Sequence, residues 1–294
     1  EHIAKATPQT TPEVGSLIGK DGRFYSTVEA CKNNGTEPIA MVVFGGSFRV
    51  ERGTQYNGLA IALKDATARL EQTTEISYQN DTRRLLCTSS CSNYGYTDRL
   101  LDGLAMTERL AHVNCHPGHQ HALAEQALRF AATNGYNLNS AVFSEFFVPS
   151  IGQWKFAKLG IDEIWDQDEP KSNGNLKKLY ENAHLRAEDG YTLPSGAYAT
   201  TSEFNWRSIY CMNFDNQSKG QITHGDKFSK FKIRPFIAFK YQYANNTGGT
   251  IDVDPMPNLH DDVPPTKGTV MTSDGWFYAT AADARANQKK VVAV

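Results

Sequence analysis

Apolar positions along the chain fall into a small number of patterns. Gly58-Leu59-Ala60-Ile61-Ala62-Leu63-Lys64-Asp65 is a near-continuous apolar run and predicts a buried strand. Between Ala122 and Thr133 the spacing becomes helical, with Leu123, Ala127, Phe130 and Ala131 on one face and Asn134-Gly135 as the stop. A second helix is expected from Ser150 through Leu159. Ser150 is its N-cap, Ile151, Trp154 and Phe156 or Ala157 turn inward, and Gly160 closes it. A third is expected over Leu176 to Arg186, with Leu176, Leu179, Tyr180 and Ala183 inward. From Tyr191 to Tyr243 the pattern turns strand-like. There, alternation places Tyr210, Met212 and Phe214 on one face and Cys211, Asn213 and Asp215 on the other, so Met212 and Phe214 are expected to be buried. Helices followed by strands imply an α+β fold with an antiparallel sheet and two or three helices.

One pattern occurs twice. Gly15-Ser16-Leu17 and Asp21-Gly22-Arg23-Phe24-Tyr25-Ser26-Thr27 recur as Gly268-Thr269-Val270 and Asp274-Gly275-Trp276-Phe277-Tyr278-Ala279-Thr280. The match resumes with Ile39-Ala40-Met41 against Val292-Ala293-Val294. Each copy reads as a strand, an Asp-Gly turn, a strand, a short helix and another strand; the glycine suits a turn because it takes positive φ without steric cost. The segment from Asn245 to Pro265, rich in Gly, Asp and Pro, reads as a linker. The expected organisation is therefore a polar tether over 1–12, a main domain over 13–244, a linker over 245–266, and a small β-rich partial repeat of 15–42 over 267–294. The last segment is either the start of a second unit or a hairpin packed on the first domain; the linker favours an incomplete second unit.

Composition narrows the function classes. The 294 residues are 40% hydrophobic and 11% aromatic, enough for a sizeable core, and a net charge of -2 gives no basic surface for nucleic acid. No apolar run approaches the ~18 residues of a membrane-spanning helix. The first residue is Glu1 rather than Met, compatible with a leader having been removed. Five cysteines (Cys31, Cys87, Cys91, Cys115 and Cys211) make an odd count with no regular framework. Cys87 and Cys91 can pair locally or with Cys115 in an exported protein, or all five can be free thiols.

Sites of chemistry are sparse. Cys115, His116, His119 and His121 have the donor types of a zinc site, but no second ligand pair follows at a recognisable spacing. Asp162, Glu163, Asp166, Asp168 and Glu169 read as a solvated acidic loop rather than the cleft-flanking pair of a glycosidase. Asp252, Asp254, Asp261 and Asp262 are calcium-type ligands without the spacing of an EF-hand loop. Nucleophile-elbow, phosphate-loop and dinucleotide motifs are missing from the sequence. No catalytic residue or metal ligand is assigned, and the only cofactor entertained is calcium.

The segments Val148-Pro149-Ser150-Ile151-Gly152-Gln153-Trp154, Gly196-Ala197-Tyr198-Ala199-Thr200-Thr201-Ser202-Glu203 and Lys232-Ile233-Arg234-Pro235-Phe236-Ile237-Ala238-Phe239 share an order with a known pattern. It resembles the LPSxxxW … YWSSTE … VRPVxAF pattern of C-type-lectin-like domains in Bacteroidetes surface proteins, the major paralogous domain group. Gly58 to Asp65 resembles the same group's GLAVALKDA stretch. Ala199 departs from the pattern, standing where a Trp is usual. The fold is shared with formylglycine-generating enzymes and with the variable proteins of diversity-generating retroelements.

The resemblance implies a C-type-lectin-like, non-catalytic, secreted or surface-displayed (possibly virion-surface) adhesin-like protein. Its partner would be a host or environmental protein or glycan. Ligand contacts would come from residues 204–230, and the candidates are Asn205, Trp206, Arg207, Tyr210, Asn213, Asp215, Gln217 and His224. Aromatic and Arg anchors beside adaptable amides are typical of binding surfaces. Arg234 is expected to be structural. Two other readings compete. An enzyme of the formylglycine-generating type would need a copper-holding cysteine pair, of which Cys211 alone lies in the right region. A structural subunit of a surface fibre or phage particle would self-associate through the repeat.

Overall fold

A computed structural model describes residues 12–49, 55–66, 103–112, 122–159, 175–204, 208–214, 220–226, 229, 231–240, 270–272, 277–278 and 291–293. The chain divides into two compact units, Glu1–Val253 and Asp254–Val294.

The first unit is α+β and its sheets are antiparallel. Strand β1 (Leu17–Gly19) pairs with β2 (Phe24–Tyr25) across a turn in which Gly22 has φ 75°, as the Asp-Gly signal predicts. Helix α1 (Val28–Asn33) follows, capped by Thr27, whose hydroxyl accepts from the Ala30 N–H. The long β3 (Pro38–Arg49) and β4 (Gln55–Ala62) form a hairpin. The last strand of the unit, β8 (Phe236–Phe239), returns to the far side of β4 to complete a five-stranded sheet in the order β2-β1-β3-β4-β8.

Both faces of this sheet are covered, which is why β4 reads as an apolar run rather than as an alternation. Leu17, Met41, Val43, Leu59 and Ile61 face one cluster, together with Trp154, Leu176 and Tyr180. Ile18, Ala40, Val42, Ala60 and Ala62 face another, with Phe130, Phe143 and Phe146. Gly58 lets the strand pass under the Phe239 ring: a Cβ placed there would run into that ring.

The helices match expectation in place more than in extent. Helix α2 (Gly103–His112) precedes α3 (Ala122–Leu128) and α4 (Phe130–Thr133), which together fill the helix expected over 122–133; Arg129 between them stays in the right-handed region and its N–H donates to the Glu125 carbonyl. Leu123, Ala127 and Phe130 are buried as predicted, and Gly135 takes φ 65° past the end. Helix α5 (Ile151–Leu159) has Ser150 at its N-cap, with Ile151, Trp154 and Ala157 fully buried. Helix α6 (Asn175–Asn182) buries Leu176, Leu179 and Tyr180, with Ala183 buried just beyond its end. The turn that follows its end places His184 at φ 59°.

A second, three-stranded sheet is formed by β5 (Ala197–Glu203), β6 (Ser208–Asn213) and β7 (Gln221–Asp226). The segment before β8 joins the two sheets. Lys232 donates its N–H to the Ala197 carbonyl and accepts from the Ala199 N–H, and a few residues later Phe236 exchanges backbone bonds with Phe147.

In the second unit, β9 (Val270–Thr272) pairs with β10 (Phe277–Tyr278) and β11 (Val291–Ala293) in the order β10-β9-β11. Among the described residues, no helix is long and apolar enough to cross a membrane.

Candidate binding face on the three-stranded sheet

The three-stranded sheet is held at its base by the start of α5. Ser150 and Gln153 cap one another: the Ser150 N–H donates to Gln153 Oε1 at 2.9 Å and the Gln153 N–H donates to Ser150 Oγ at 3.2 Å. This reciprocal pair satisfies helix-end donors that would otherwise be buried without acceptors. A further orphan donor, the Ile151 N–H, is taken by Ser202 Oγ at 2.9 Å, and the Thr201 N–H reaches the Pro149 carbonyl at 3.0 Å. The bulge in β5 between Ala199 and Glu203 turns these residues toward the helix. Within it, Thr200 Oγ1 donates to the Tyr210 carbonyl at 2.6 Å and accepts from the Ser202 N–H at 3.1 Å. The PSxxQW and TTSE segments are thus the two halves of one hydrogen-bonded joint. Sequence inspection singled out Ser150 but not Gln153 or Ser202.

A buried ion pair holds the other side. Arg234, 2% exposed, donates from Nε to Asp65 Oδ1 at 2.6 Å and from Nη1 to the Ala62 carbonyl at 3.2 Å. Tyr198 of β5 donates its hydroxyl to Asp65 Oδ2 at 3.2 Å, and its ring lies 5.9 Å from the guanidinium carbon. Burial pushes the Tyr198 phenol up to about 12, so it stays a donor at neutral pH. Arg234 is the structural residue it was expected to be.

On this base the strands differ in exposure. β6 is buried on both faces: Tyr210 and Met212 lie on the side of Trp154 and Phe214, and Ile209 and Cys211 lie against Leu123, Ala127, Phe231 and Ile233. The expected alternation is present, and Met212 and Phe214 are buried as predicted, but the opposite face is covered too. β7 is at least partly exposed along its whole length: Gln221 and His224 are exposed, and Ile222, Thr223, Gly225 and Asp226 are half-buried. Among the described residues it pairs only with β6.

His224 sits opposite Tyr210 in the register. Its ring stacks on Phe204 at 4.2 Å with an interplanar angle of 2°, and Phe204 meets Tyr210 edge-on at 5.2 Å. These three rings form a column running from the half-exposed edge into the core, the geometry in which aromatic pairs gain beyond their buried area.

The candidate residues separate accordingly. His224 is exposed at the outer end of the column, and Asn213 is half-buried at the end of β6. Tyr210 is corrected: it is 0% exposed, because its face of β6 packs on the main core, so in this structure it offers no surface to a ligand. Asn205, Trp206 and Arg207, between β5 and β6, and Asp215 and Gln217, between β6 and β7, lie outside the described residues, as do the His cluster at 114–121 and both acidic groups. Phe204 and Ile222 were missed as members of this face; the alternation of β7 was the signal that held Ile222 and His224 together. Cys31 and Cys211 are buried free thiols, and the other three cysteines lie outside the described residues. Burial raises the Cys211 thiol, and Thr223 Oγ1 donates to its sulfur at 3.6 Å. Among the described residues, no group of three His, Cys, Asp or Glu side chains is placed to hold a metal ion.

Comparison with known proteins adds a fold-level likeness. No protein-family model matches the chain, and no curated protein sequence matches it. Among solved structures it is similar to a fimbrial protein from Bacteroides ovatus, with a TM-score of 0.50 and 17% identity over 77% of this chain and 49% of that one. The chain therefore spans about half the length of that protein, and at this identity the likeness speaks for the fold alone.

Proposed function

We propose that this is a non-catalytic, surface-displayed binding protein of C-type-lectin-like architecture, whose ligand meets the β6–β7 side of the three-stranded sheet. The carrying observation is the contrast within that sheet: a joint fixed by the Ser150–Gln153–Ser202 bonds and the Arg234–Asp65 pair, and a partly exposed edge strand with His224 stacked on Phe204. A rigid base under an adaptable rim is how a binding surface limits the entropy lost on association. Asn205-Trp206-Arg207 and Asp215 to Gln217 connect the strands of that sheet and would supply the anchors and amides of the contact. The fimbrial character of the structural neighbour supports placement at a cell surface. The buried, hydrogen-bonded Cys211 supports a structural role for that thiol over a copper-holding one.

The test is capture on glycan and protein arrays, repeated with Trp206→Ala, Arg207→Ala and His224→Ala. A ligand found this way should bind each variant about thirtyfold more weakly, the effect of losing an interface anchor. Unfolding free energies of the Trp206 and Arg207 variants should stay within about 0.5 kcal/mol of the parent, and His224→Ala, which loses the stack on Phe204, should cost about 0.5–1.5 kcal/mol. Unchanged affinity in all three variants sinks the assignment of this face. Concentration-dependent self-assembly of the parent, with no ligand captured, favours the fibre-subunit reading instead.

A further inference from the structure

Two helices of the first unit end in the same turn, and both carry Asn-Gly in it. Helix α1 is closed by Asn34-Gly35-Thr36: the Gly35 N–H donates to the Lys32 carbonyl at 2.9 Å and the Thr36 N–H to the Cys31 carbonyl at 3.2 Å. Helix α4 is closed by Asn134-Gly135-Tyr136: the Gly135 N–H donates to the Ala132 carbonyl at 3.2 Å and the Tyr136 N–H to the Ala131 carbonyl at 2.8 Å. This paired bonding, with glycine in the left-handed region at φ 72° and 65°, satisfies carbonyls that a helix end leaves open. The asparagine side chains repeat as well. Asn34 Nδ2 donates to the Ala30 carbonyl at 2.9 Å, and Asn134 Nδ2 to the Phe130 carbonyl at 2.8 Å.

Asn-Gly is also the sequence in which asparagine most readily loses its amide, because a glycine without Cβ leaves the attacking nitrogen unhindered. In that reaction the Gly nitrogen gives its proton to water and bonds to the Asn Cγ, the Cγ–Nδ2 bond breaks, and the amide takes up a proton and leaves as ammonia. Water then opens the five-membered imide at either carbonyl, giving aspartate or isoaspartate. The folded turn withholds each requirement. With ψ 5° at Asn34 and 3° at Asn134, the Gly nitrogen eclipses the asparagine's own nitrogen about the Cα–C bond, whereas the imide needs it to eclipse Cβ. The attacking N–H and the leaving amide are each engaged by a carbonyl. Both turns nevertheless lie at the surface: Gly35 and Gly135 are exposed and the two asparagines half-buried, so water reaches them once the turn opens. We propose that Asn34 and Asn134 are latent deamidation sites, kept closed by the helix ends and converted by local opening of the turn. The conversion is one-way. The new carboxylate has no hydrogen to donate to the Ala30 or Phe130 carbonyl, and it sits at a helix C-terminus, where negative charge is disfavoured.

The full chain and free peptides of residues 28–38 and 128–138 are held in mildly alkaline buffer, and aspartate and isoaspartate at each site are followed by mass spectrometry after digestion. Both sites should convert at least about tenfold more slowly in the folded chain than in the peptides, the protection of a turn that is open less than about a tenth of the time. Thr36→Pro removes the N–H that bonds to the Cys31 carbonyl and leaves Asn34-Gly35 intact. Measured against a peptide with the same change, it should speed Asn34 by about fivefold, the effect of one lost backbone bond, and leave Asn134 as in the parent. Conversion in the folded chain at the peptide rate overturns the proposal, and so does an unchanged rate at Asn34 in Thr36→Pro. Equal acceleration at both sites, in a variant that still melts like the parent, also overturns it, because the rate then does not follow the individual turn. If Thr36→Pro does not fold, the comparison of parent chain and peptides decides alone.

Discussion

Arg234 sits at the centre of a buried polar cluster with Asp65, the Ala62 carbonyl and Tyr198. Its charge is buried, so its stability contribution rests on Asp65 and the Ala62 carbonyl being in place, and truncating it leaves the Asp65 carboxylate facing Tyr198 without its countercharge. Arg234→Ala should destabilise the domain by about 3–5 kcal/mol. Arg234→Lys should recover little of that, because a lysine lacks the fork that reaches a carboxylate and a carbonyl together. Equilibrium denaturation with urea checks both, and an unchanged midpoint in Arg234→Ala would refute the role. The position was legible in the sequence through its place in the RP motif, but its partner was not: Asp65 lies 169 residues away and sits in an unremarkable Lys-Asp-Ala sequence. Tyr210 went the other way. Its residue type suggested an anchor, but the alternation that buries Met212 puts Tyr210 on the same face, which packs on the main core beside Trp154.

Helix α5 shows how much of an element can be read locally and where that stops. Ser150, the inward Ile151, Trp154 and Ala157, and the helix start all follow from spacing and capping preference. The acceptor for the Ile151 N–H, Ser202, comes from a strand 51 residues on and leaves no local trace. The Ser150 and Gln153 side chains each accept from the other's backbone N–H, so each substitution removes one of the two bonds and loosens the geometry of the second. Ser150→Ala and Gln153→Ala should each cost about 1–2 kcal/mol, and the double variant should cost clearly less than their total. Additive losses in a double-mutant cycle would show that the two caps act independently.

At the scale of the whole molecule, strand order was the feature that the sequence concealed. Helix positions, the Asp-Gly turn, the repeat and the α+β class follow from local pattern, whereas the placement of β8 beside β4 is a choice among pairings that local pattern does not rank. Burial on both sides of the sheets also has a pH signature. Cys31, shielded by burial and with the Asp21 carboxylate adding to the effect, is raised from 9.0 to about 12, and Tyr198 is raised from 10.0 to about 12. Both groups hold their protons in the folded chain over a range where the unfolded chain has lost them. Their contribution is therefore complete below about pH 9 and drains away as pH rises toward 12. The melting temperature should fall by roughly 5 °C or more between pH 8.5 and 11.5, a loss of about 1–2 kcal/mol for a domain of this size. In Cys31→Ala the onset should move up by about one unit, toward the tyrosine range; an onset that stays in place would assign the decline to other groups.

The closing of the five-stranded sheet by its last strand sets a schedule for the nascent chain. The Arg234 guanidinium that seals this region binds a carbonyl 172 residues earlier, at the end of β4. At synthesis rates of roughly 5–20 residues per second, β4 waits on the order of 10–30 s with its apolar edge uncovered. During that interval the apolar stretch Leu59 to Leu63 lacks the strand that covers its edge in the folded chain, so a chaperone that holds extended apolar segments should act between the appearance of β4 and the arrival of Phe236.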